Sequence, residues 1–285
     1  MPLKSEPTIR LGGFQICNVD FEGASSLIHA SLSAGNKMAV LFANTHFVTV
    51  CQHLHDSIDE HPSALVLNDG IGINIASFLV HRRWFPHNLN GTDFIPRLLR
   101  ESEQTLRIFL LGGSQRANAG AATAFANFPR ITIAGTCDGY SFWSNPSALI
   151  AEINRSNADI VLVALGSPTQ ESWIVENWRQ VQAPVIFGVG ALFDFMSQQR
   201  ARAPSLIRRM NLEWLFRLVN EPRRLGYRYT IEIFSFVRIV IVASLAPHHE
   251  QSLGTAANES AECSSAFPGA VTRAADRPSR NRSAC

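Results

Sequence analysis

The chain has 285 residues, of which 46% are hydrophobic and 17% are charged. Apolar residues in this amount support a packed core and exclude general disorder, and a charged fraction below the roughly 25% of typical soluble domains indicates apolar surroundings. The net charge of +2 identifies no partner, and because the five cysteines lack close spacing, neither a zinc site nor a disulfide framework is predicted and a reducing cytosol fits best.

Six apolar runs that end in Gly, Asn or Ser alternate with helix-like stretches along the first two thirds of the chain. Buried parallel strands read as continuous Val, Ile and Leu runs, and their crossovers need helices. The alternation therefore predicts an α/β fold with a doubly wound, mainly parallel sheet, whose ligands bind beyond the carboxyl ends of the strands. The six runs are 38–44, 64–70, 107–114, 130–135, 159–167 and 183–190.

A helical rhythm replaces this alternation after residue 203. We predict a sheet domain over 1–203, an Arg-rich helical appendage over 204–246 and a flexible tail over 247–285. Eight arginines fall between Arg200 and Arg228, and planar guanidinium groups suit carboxylate or phosphate oxygens.

Neither end of the chain is predicted to cross a membrane. The first residues lack the apolar core of a signal peptide. The longest apolar stretch, 231–246, contains Glu232 and Arg238 and falls short of the about 20 apolar residues that a spanning helix needs. We therefore expect a protein that is not secreted and that has no spanning helix.

The first candidate for chemistry is Asp69, which follows an apolar run and precedes a glycine-rich turn into a helix. A carboxylate at that place can act as a general base, bind a metal or bind a ribose. A plain turn or cap aspartate fits the same pattern, since Asn-Asp-Gly is an ordinary turn sequence. The local pattern alone leaves these readings open.

Three further strand ends carry candidate binding residues. Gly112 and Gly113 precede a helix whose N-terminus can receive a diphosphate, although a simple turn has the same sequence. Gly166 and Ser167 lead into a helix whose first turn holds Gln170 and Glu171; the amide can read a base or a sugar, whereas Glu171 can also just offset the helix dipole. Asp194 follows the last run and is equally suited to pair with Arg200 or Arg202 or to touch a sugar hydroxyl.

Seven segments, in order along the chain, resemble the WecG/TagA/CpsF family of glycosyltransferases, also known as glycosyltransferase family 26. The likeness runs from about residue 10 to 230, and its last block is the most specific. The segments are FANTHFV, NDGIG, NGTDFIPRLL, FLLGGS, GTCDGYSFW, ALGSPTQESW and a block made of FGVGALFDF, RAP, LEWLFRL, EPRR and RY.

This resemblance implies an inverting transfer from a UDP-sugar to a polyprenyl-diphosphate-linked saccharide, on a Rossmann-like fold and without a metal or another cofactor. The product would belong to a bacterial cell-surface polysaccharide, either an exopolysaccharide or a teichoic-acid-like polymer. The resemblance also implies that Asp69 is the base and that arginines of the appendage close over the site and favour membrane binding, namely Arg217, Arg224 and Arg228, with Arg223 as a further candidate. Polar substrate contacts carry over to Asn44, Thr92, Asp93, Gln170 and Glu171.

The expected partners are the UDP-sugar, the lipid-linked acceptor and the cytoplasmic face of the bacterial inner membrane, with no nucleic acid. The sequence leaves the donor sugar open among glucose, N-acetylmannosamine and its uronic acid, and the form of the first loop favours an exopolysaccharide role with a glucosyl donor. Two other classes compete with this reading. A nucleotide-dependent oxidoreductase would use the same strand-end glycines, but the GxGxxG fingerprint is missing, and a non-catalytic membrane scaffold would have no need of Asp69.

Overall fold

An eight-stranded sheet forms the centre of the molecule, with strand order β1-β2-β4-β3-β8-β7-β5-β6. The computed structural model describes residues 7–61, 63–140, 146–199, 203–204, 207, 213–220 and 222–245. Strands β3 to β8 run parallel to their neighbours, and only β1 and β2 pair antiparallel. The strands are β1 Thr8–Leu11, β2 Phe14–Cys17, β3 Met38–Ala43, β4 Ala64–Asn68, β5 Leu106–Gly112, β6 Ile131–Cys137, β7 Ile160–Ala164 and β8 Val185–Gly188.

Helices fill the connections between the parallel strands and continue after β8. A short 3-10 helix, Gln52–Leu54, lies between the second and third α-helices. The α-helices are α1 Phe21–Ala34, α2 Thr45–Val50, α3 His55–Asp59, α4 Ile71–His81, α5 Gly91–Glu101, α6 Gln115–Ala126, α7 Pro146–Arg155, α8 Thr169–Asn177, α9 Leu192–Met196, α10 Glu213–Asn220 and α11 Pro222–Leu245.

The parallel strands β3, β4, β5, β7 and β8 are buried on both faces, which explains their continuous apolar sequence, whereas the edge strand β6 is largely half-buried. In β3, Leu41 belongs to the hydrophobic core on one side of the sheet, whereas its neighbours Val40 and Phe42 belong to the core on the other. Side chains alternate between the two faces of a strand, so a strand covered on both sides needs apolar residues at every position. The six predicted strands and the mainly parallel α/β sheet are confirmed.

The β1–β2 hairpin at the edge of the sheet was missing from the sequence prediction. Its two strands have four residues each and join through Gly12 and Gly13, with Leu11 opposite Phe14. Both glycines have positive φ, 58° and 96°, as a two-residue hairpin turn requires. Polar residues interrupt the apolar ones in these strands, so neither strand has the continuous apolar run of a buried parallel strand.

The helical character predicted after residue 203 is confirmed for the parts of α10 and α11 that the structure describes. Helix α11 packs against α2 and α4, and its Phe236 and Val240 are buried in the same core as β3. Among the described helices, none is both long enough and apolar enough to cross a membrane. The domain boundaries remain a prediction, and the tail over 247–285 lies outside the described residues.

Candidate functional site

Several helix N-termini lie at the carboxyl edge of the sheet, and four of them follow loops that hold predicted site residues. Helices α2, α4, α6 and α8 begin two to five residues after the strands that precede them, namely β3, β4, β5 and β7. Because these strands are parallel, the four helix starts lie along the same edge, with their unpaired N–H groups and the positive ends of their dipoles directed toward it. This edge therefore favours a ligand that carries negative charge.

Asp69 and Asn44 lie side by side at this edge. Their strands are neighbours, with Ala43 opposite Asn68, and the Asp69 N–H donates to the Ala43 carbonyl over 2.8 Å. Asn44 caps α2, since its Oδ1 accepts from the Phe47 N–H at 3.0 Å. That leaves its amide nitrogen to donate to Asp69 Oδ2 at 3.2 Å. The structure thus brings two sequence-predicted residues together and fixes which end of the amide faces the carboxylate.

A segment that sequence analysis passed over holds the loop around Asp69. The N–H of Gly70 donates to Asn88 Oδ1 at 2.7 Å, and the buried Asn68 side chain donates to the His87 carbonyl at 2.8 Å. The Leu89 N–H returns a bond to the Asn68 carbonyl at 3.0 Å. These three bonds fasten residues 87–89 to the end of β4. The segment is 18 or more residues further along the chain, so no local pattern signals the contact.

Thr92 and Asp93 form a polar cluster with Asn90 at the start of α5. Asn90 Oδ1 accepts from the Asp93 N–H at 3.0 Å and from Thr92 Oγ1 at 2.8 Å, while its amide donates to Asp93 Oδ2 at 3.1 Å. This arrangement caps the helix. A contact of Thr92 or Asp93 with substrate remains a prediction.

Gly112 and Gly113 join the ends of β5 and β7. Gly113 donates its N–H to the Ala164 carbonyl at 2.9 Å, so this amide has a partner within the protein. A Cβ on Gly112 would lie 2.5 Å from the Ala164 backbone, and Gly112 has φ of 106°, so only glycine fits. The strand order reverses here, because the chain leaves β5 toward β6 but leaves β7 toward β8. Such a reversal is where doubly wound sheets bind nucleotides.

The side chains of Gln170 and Glu171 lie beneath the β7–α8 loop, with exposed fractions of only 4% and 1%. Glu171 Oε1 accepts from Ser167 Oγ and from Gln170 Nε2, each at 2.8 Å. Gln170 Oε1 in turn accepts the Gly190 N–H at 2.9 Å. The two side chains therefore connect the loops after β7 and β8. Direct substrate contact by them remains a prediction, whereas the half-buried Gly166 and Ser167 lie nearer the surface of the edge.

The Glu171 carboxyl has an unusual environment. Burial raises its pKa, and the hydrogen bonds from Gln170 and Ser167 act in the opposite direction. The thiol of Cys51, at the end of α2, contacts the same carboxyl; burial and then the Glu171 charge raise the pKa of that thiol. The 120 residues between Cys51 and Glu171 explain why sequence analysis did not pair them.

The remaining predicted residues follow β8. Asp194 is half-buried in α9, and its carbonyl accepts from Ser197 Oγ at 3.2 Å. Arg200 and Arg202, the partners considered for Asp194, lie outside the described residues. In the described ranges, no group of three or more His, Cys, Asp or Glu is arranged to hold a metal ion.

The C-terminal helix meets the site region through a hydrogen bond between side chains. Glu232 Oε2 in α11 lies 2.7 Å from His46 Nδ1 in α2, two residues after Asn44. The backbone positions of the predicted site arginines are in α10 and α11, but their side chains lie outside the described part of the chain: Arg217, Arg224 and Arg228. The structure therefore joins α11 to the first loop of the site without placing any of these guanidinium groups.

Comparison with known proteins gives the family. The model of the glycosyl transferase WecG/TagA/CpsF family matches residues 9–250. An N-acetylglucosaminyldiphosphoundecaprenol N-acetyl-beta-D-mannosaminyltransferase of Bacillus subtilis is 37% identical over 165 residues, which are 57% of this chain and 63% of the relative. A protein of the same name from Bacillus spizizenii is 33% identical over 189 residues, 65% of this chain and 72% of the relative. The match thus spans less than two thirds of the length of the first relative. The family model, in contrast, matches most of this chain. The chain therefore belongs to the WecG/TagA/CpsF family of glycosyl transferases.

Proposed function

We propose that this protein is an inverting glycosyltransferase that moves a sugar from a UDP-sugar to a saccharide linked to polyprenyl diphosphate. The observation that carries the proposal is the Asp69–Asn44 pair at a sheet edge lined by helix N-termini. Family membership supports the class of reaction. The names of the two Bacillus relatives support an acceptor that carries a sugar on a diphosphate-linked polyprenol.

Asp69 is the proposed general base. Its carboxylate takes the proton of the acceptor hydroxyl while the hydroxyl oxygen attacks the anomeric carbon of the donor. The bond from that carbon to the UDP oxygen breaks in the same step, and its electron pair leaves with UDP. Asn44 holds Oδ2 of Asp69 by a 3.2 Å bond, so the carboxylate is oriented before the acceptor arrives.

The departing diphosphate needs positive charge opposite it. The N-termini of α6 and α8, beside the strand-order reversal, supply partial positive charge there. From β4 to β7 the sheet crosses three strand spacings, about 14 Å, which leaves room for an extended sugar nucleotide between Asp69 and these helices. We further propose that Arg217, Arg224 and Arg228 complete the charge, as the family resemblance implies, and that no metal is required.

The names of the two relatives bear on the identity of the donor sugar. Their names specify N-acetylmannosaminyl transfer. That makes UDP-N-acetylmannosamine the first donor to test, ahead of the UDP-glucose that the first loop favoured. An exopolysaccharide and a teichoic-acid-like polymer both accommodate the reaction.

We also propose that the protein works as a peripheral protein on the cytoplasmic face of the inner membrane, where a polyprenyl-linked acceptor and a cytosolic nucleotide sugar can meet. Helix α11 supports this, because its Phe234 and Leu245 are 74% and 78% exposed. Apolar side chains exposed in this way on an amphipathic helix suit the boundary of a bilayer.

The test is a transfer assay with the full chain. Short-chain N-acetylglucosaminyl-diphospholipid is offered with UDP-N-acetylmannosamine, UDP-glucose or UDP-N-acetylglucosamine, and both UDP release and the mass of the lipid product are measured. We expect one donor to give UDP and a glycosylated lipid, at an unchanged rate in EDTA. UDP release that does not depend on the acceptor, or no transfer from any of the three donors, would contradict the proposal.

A further inference from the structure

Helix α4 exposes apolar side chains that the reaction does not use. Ile75, Leu79 and Trp84 are 46%, 63% and 53% exposed, and all three lie on or just after this helix. Isolated exposed apolar residues are ordinary, but a patch that includes a tryptophan marks an interaction surface. We call these three residues the α4 platform.

Buried hydrogen bonds hold the platform in place. Buried Ser77 donates from Oγ to the Arg83 carbonyl at 2.7 Å, and Asn74 Oδ1 accepts from the Phe85 N–H at 3.0 Å. Together these bonds fasten the turn over 82–85 to α4. Arg82 adopts the left-handed conformation, with φ of 56°, to make that turn. A non-glycine residue pays a conformational cost there, so the turn is specified by its surroundings.

The ring of Trp84 has a defined orientation. It stacks on Phe78 with centroids 4.8 Å apart and an angle of 18° between the rings. The Arg82 guanidinium lies 5.6 Å from the Phe78 centroid. An aromatic ring held next to an arginine and half exposed to solvent is the arrangement that bilayer interfaces favour, because such a ring has an apolar body and a polar edge.

The neighbouring helix also exposes apolar side chains. Helix α11 packs against α4, and among its described side chains four exposed apolar residues recur at helical spacing. They are Phe234, Val237, Ile241 and Leu245. The apolar side chains therefore belong to two packed helices, one from the predicted sheet domain and one from the predicted appendage.

The charged side chains in the turn after α4 and in residues 233–245 of α11 are arginines. Arg82, Arg83 and Arg238 are exposed. In the sequence, Asp69 is the only acid between residues 64 and 92, and residues 233–245 contain none. A second copy of the chain, placed on this face by a two-fold axis, would set arginines against arginines. Anionic phospholipid headgroups complement the same charges.

We propose that the α4 platform is a membrane contact of the sheet domain itself, and that it binds the surface of a bilayer containing anionic phospholipid. Trp84 and Leu79 enter the interfacial layer, while Arg82 and Arg83 pair with lipid phosphates. The purpose assigned to this contact rests on the proposed function. Helix α4 begins two residues after Asp69, and Leu79 is eight residues further on, about 12 Å along the axis. One rigid helix thus sets the height of the base above the lipid that carries the acceptor.

Vesicle binding by the full chain tests the contact. Leu79→Glu and Trp84→Ala are compared with wild type by sedimentation with vesicles of phosphatidylglycerol and phosphatidylcholine. We expect each to lower the partition coefficient about tenfold. Ala151→Glu, which adds a charge at an exposed position of α7, is the control and should bind like wild type.

A double variant and a matched control test the part of the two arginines. The double variant Arg82→Asn with Arg83→Ala removes both charges, and asparagine at position 82 tolerates the left-handed conformation. It should lower binding to anionic vesicles about thirtyfold and leave binding to pure phosphatidylcholine unchanged. The control is Arg130→Asn with Arg155→Ala, because Arg130 is also exposed with φ of 61° and Arg155 is also exposed on a helix. It should bind both kinds of vesicle like wild type.

Unchanged binding of Leu79→Glu and Trp84→Ala to anionic vesicles would overturn the inference. A dimer interface on this face would overturn it as well. In that case wild type is a dimer in light scattering, whereas Leu79→Glu is a monomer that binds vesicles like wild type, because a second copy of the chain covers the face. With the short-chain acceptor in solution, the platform variants should turn over like wild type, and they should slow only with acceptor embedded in vesicles. If wild type transfers no sugar at all, the proposed function fails, but vesicle binding still decides the contact.

Discussion

Asp69 and Glu171 look alike in the sequence, yet the structure gives them opposite environments. Each acid follows a buried parallel strand and lies close to the start of a helix. Asp69 precedes its helix, is partly exposed and bonds to Asn44. Glu171 is the third residue of α8, and its side chain is directed under the loop, where it is 1% exposed. Asp69 thus stays open to solvent at the edge of the sheet, whereas Glu171 is enclosed by the protein.

The difference separates a group that can react from one that holds the loops. A base must reach the proton it removes. Only Asp69 of these two satisfies that condition. Glu171 instead accepts from Ser167 and Gln170 and so ties the loops after β7 and β8 together.

The largest effect is expected from removing the base. Asp69→Asn keeps the size of the side chain and its bond to Asn44 but cannot take a proton, so turnover with donor and lipid acceptor should fall about a thousandfold. Glu171→Gln, the matched change at the buried acid, should stay within a few-fold of wild type. Steady-state UDP release measures both. Near-normal turnover of Asp69→Asn, with the same fold by circular dichroism, would remove Asp69 from the role.

The second effect is on the free energy of unfolding, where replacing Glu171 should have the larger effect and replacing Asp69 the smaller. Glu171→Ala leaves Ser167 and Gln170 without their buried acceptor, so the free energy of unfolding should fall by about 2 to 3 kcal/mol. Asp69→Asn should change it by less than about 0.5 kcal/mol, because the site is partly open to water. Urea unfolding of both variants gives the comparison. Equal losses would show that the two acids share a structural role.

A smaller effect separates the two bonds of Asn44. Asn44→Ser keeps a capping oxygen for the Phe47 N–H but is too short to reach Asp69, so turnover should fall about tenfold while stability is retained. Asn44→Ala removes both bonds and should also lower the free energy of unfolding by about 1 kcal/mol. If Asn44→Ser turns over like wild type, the 3.2 Å bond to Asp69 has no part in orienting the base.

The smallest effect is a dependence of stability on pH that belongs to Glu171. Its pKa is raised in the folded protein from an ordinary value of 4.5, so the native state holds this proton more firmly than the unfolded chain. The resulting stabilisation is fully present below the unfolded pKa and is lost as pH rises through the folded pKa. Relative to wild type, Glu171→Gln should therefore become more stable as pH increases from 4. A constant difference across that series would indicate that folding does not change the pKa of Glu171.

Much of this architecture can be predicted from the sequence, and the exceptions have physical causes. Continuous apolar runs identify the parallel strands, and neighbouring βαβ strands usually pair, so the meeting of Asn44 with Asp69 follows from the pattern. The hairpin over 8–17 is not predicted, because its strands are short and contain polar residues. Long-range contacts carry no local signal.

The hydrogen bond between His46 and Glu232 is one such contact, since its partners are 186 residues apart. The burial of Glu171 is another, because it depends on Cys51 and on the Gly190 loop, both distant in sequence. Trp84 is a third case. Its ring is 53% exposed and follows the left-handed turn at Arg82, which no pattern in the sequence indicates.

The most direct test of the account is the anomeric configuration of the product. If Asp69 acts as a base in a single displacement, the linkage formed from an α-linked UDP-sugar must be β, as nuclear magnetic resonance of the isolated glycolipid would show. If Asp69 instead attacked the sugar as a nucleophile, two displacements would restore the α configuration. A β-linked product that disappears in Asp69→Asn is the result we predict, and an α-linked product would contradict the role assigned to Asp69.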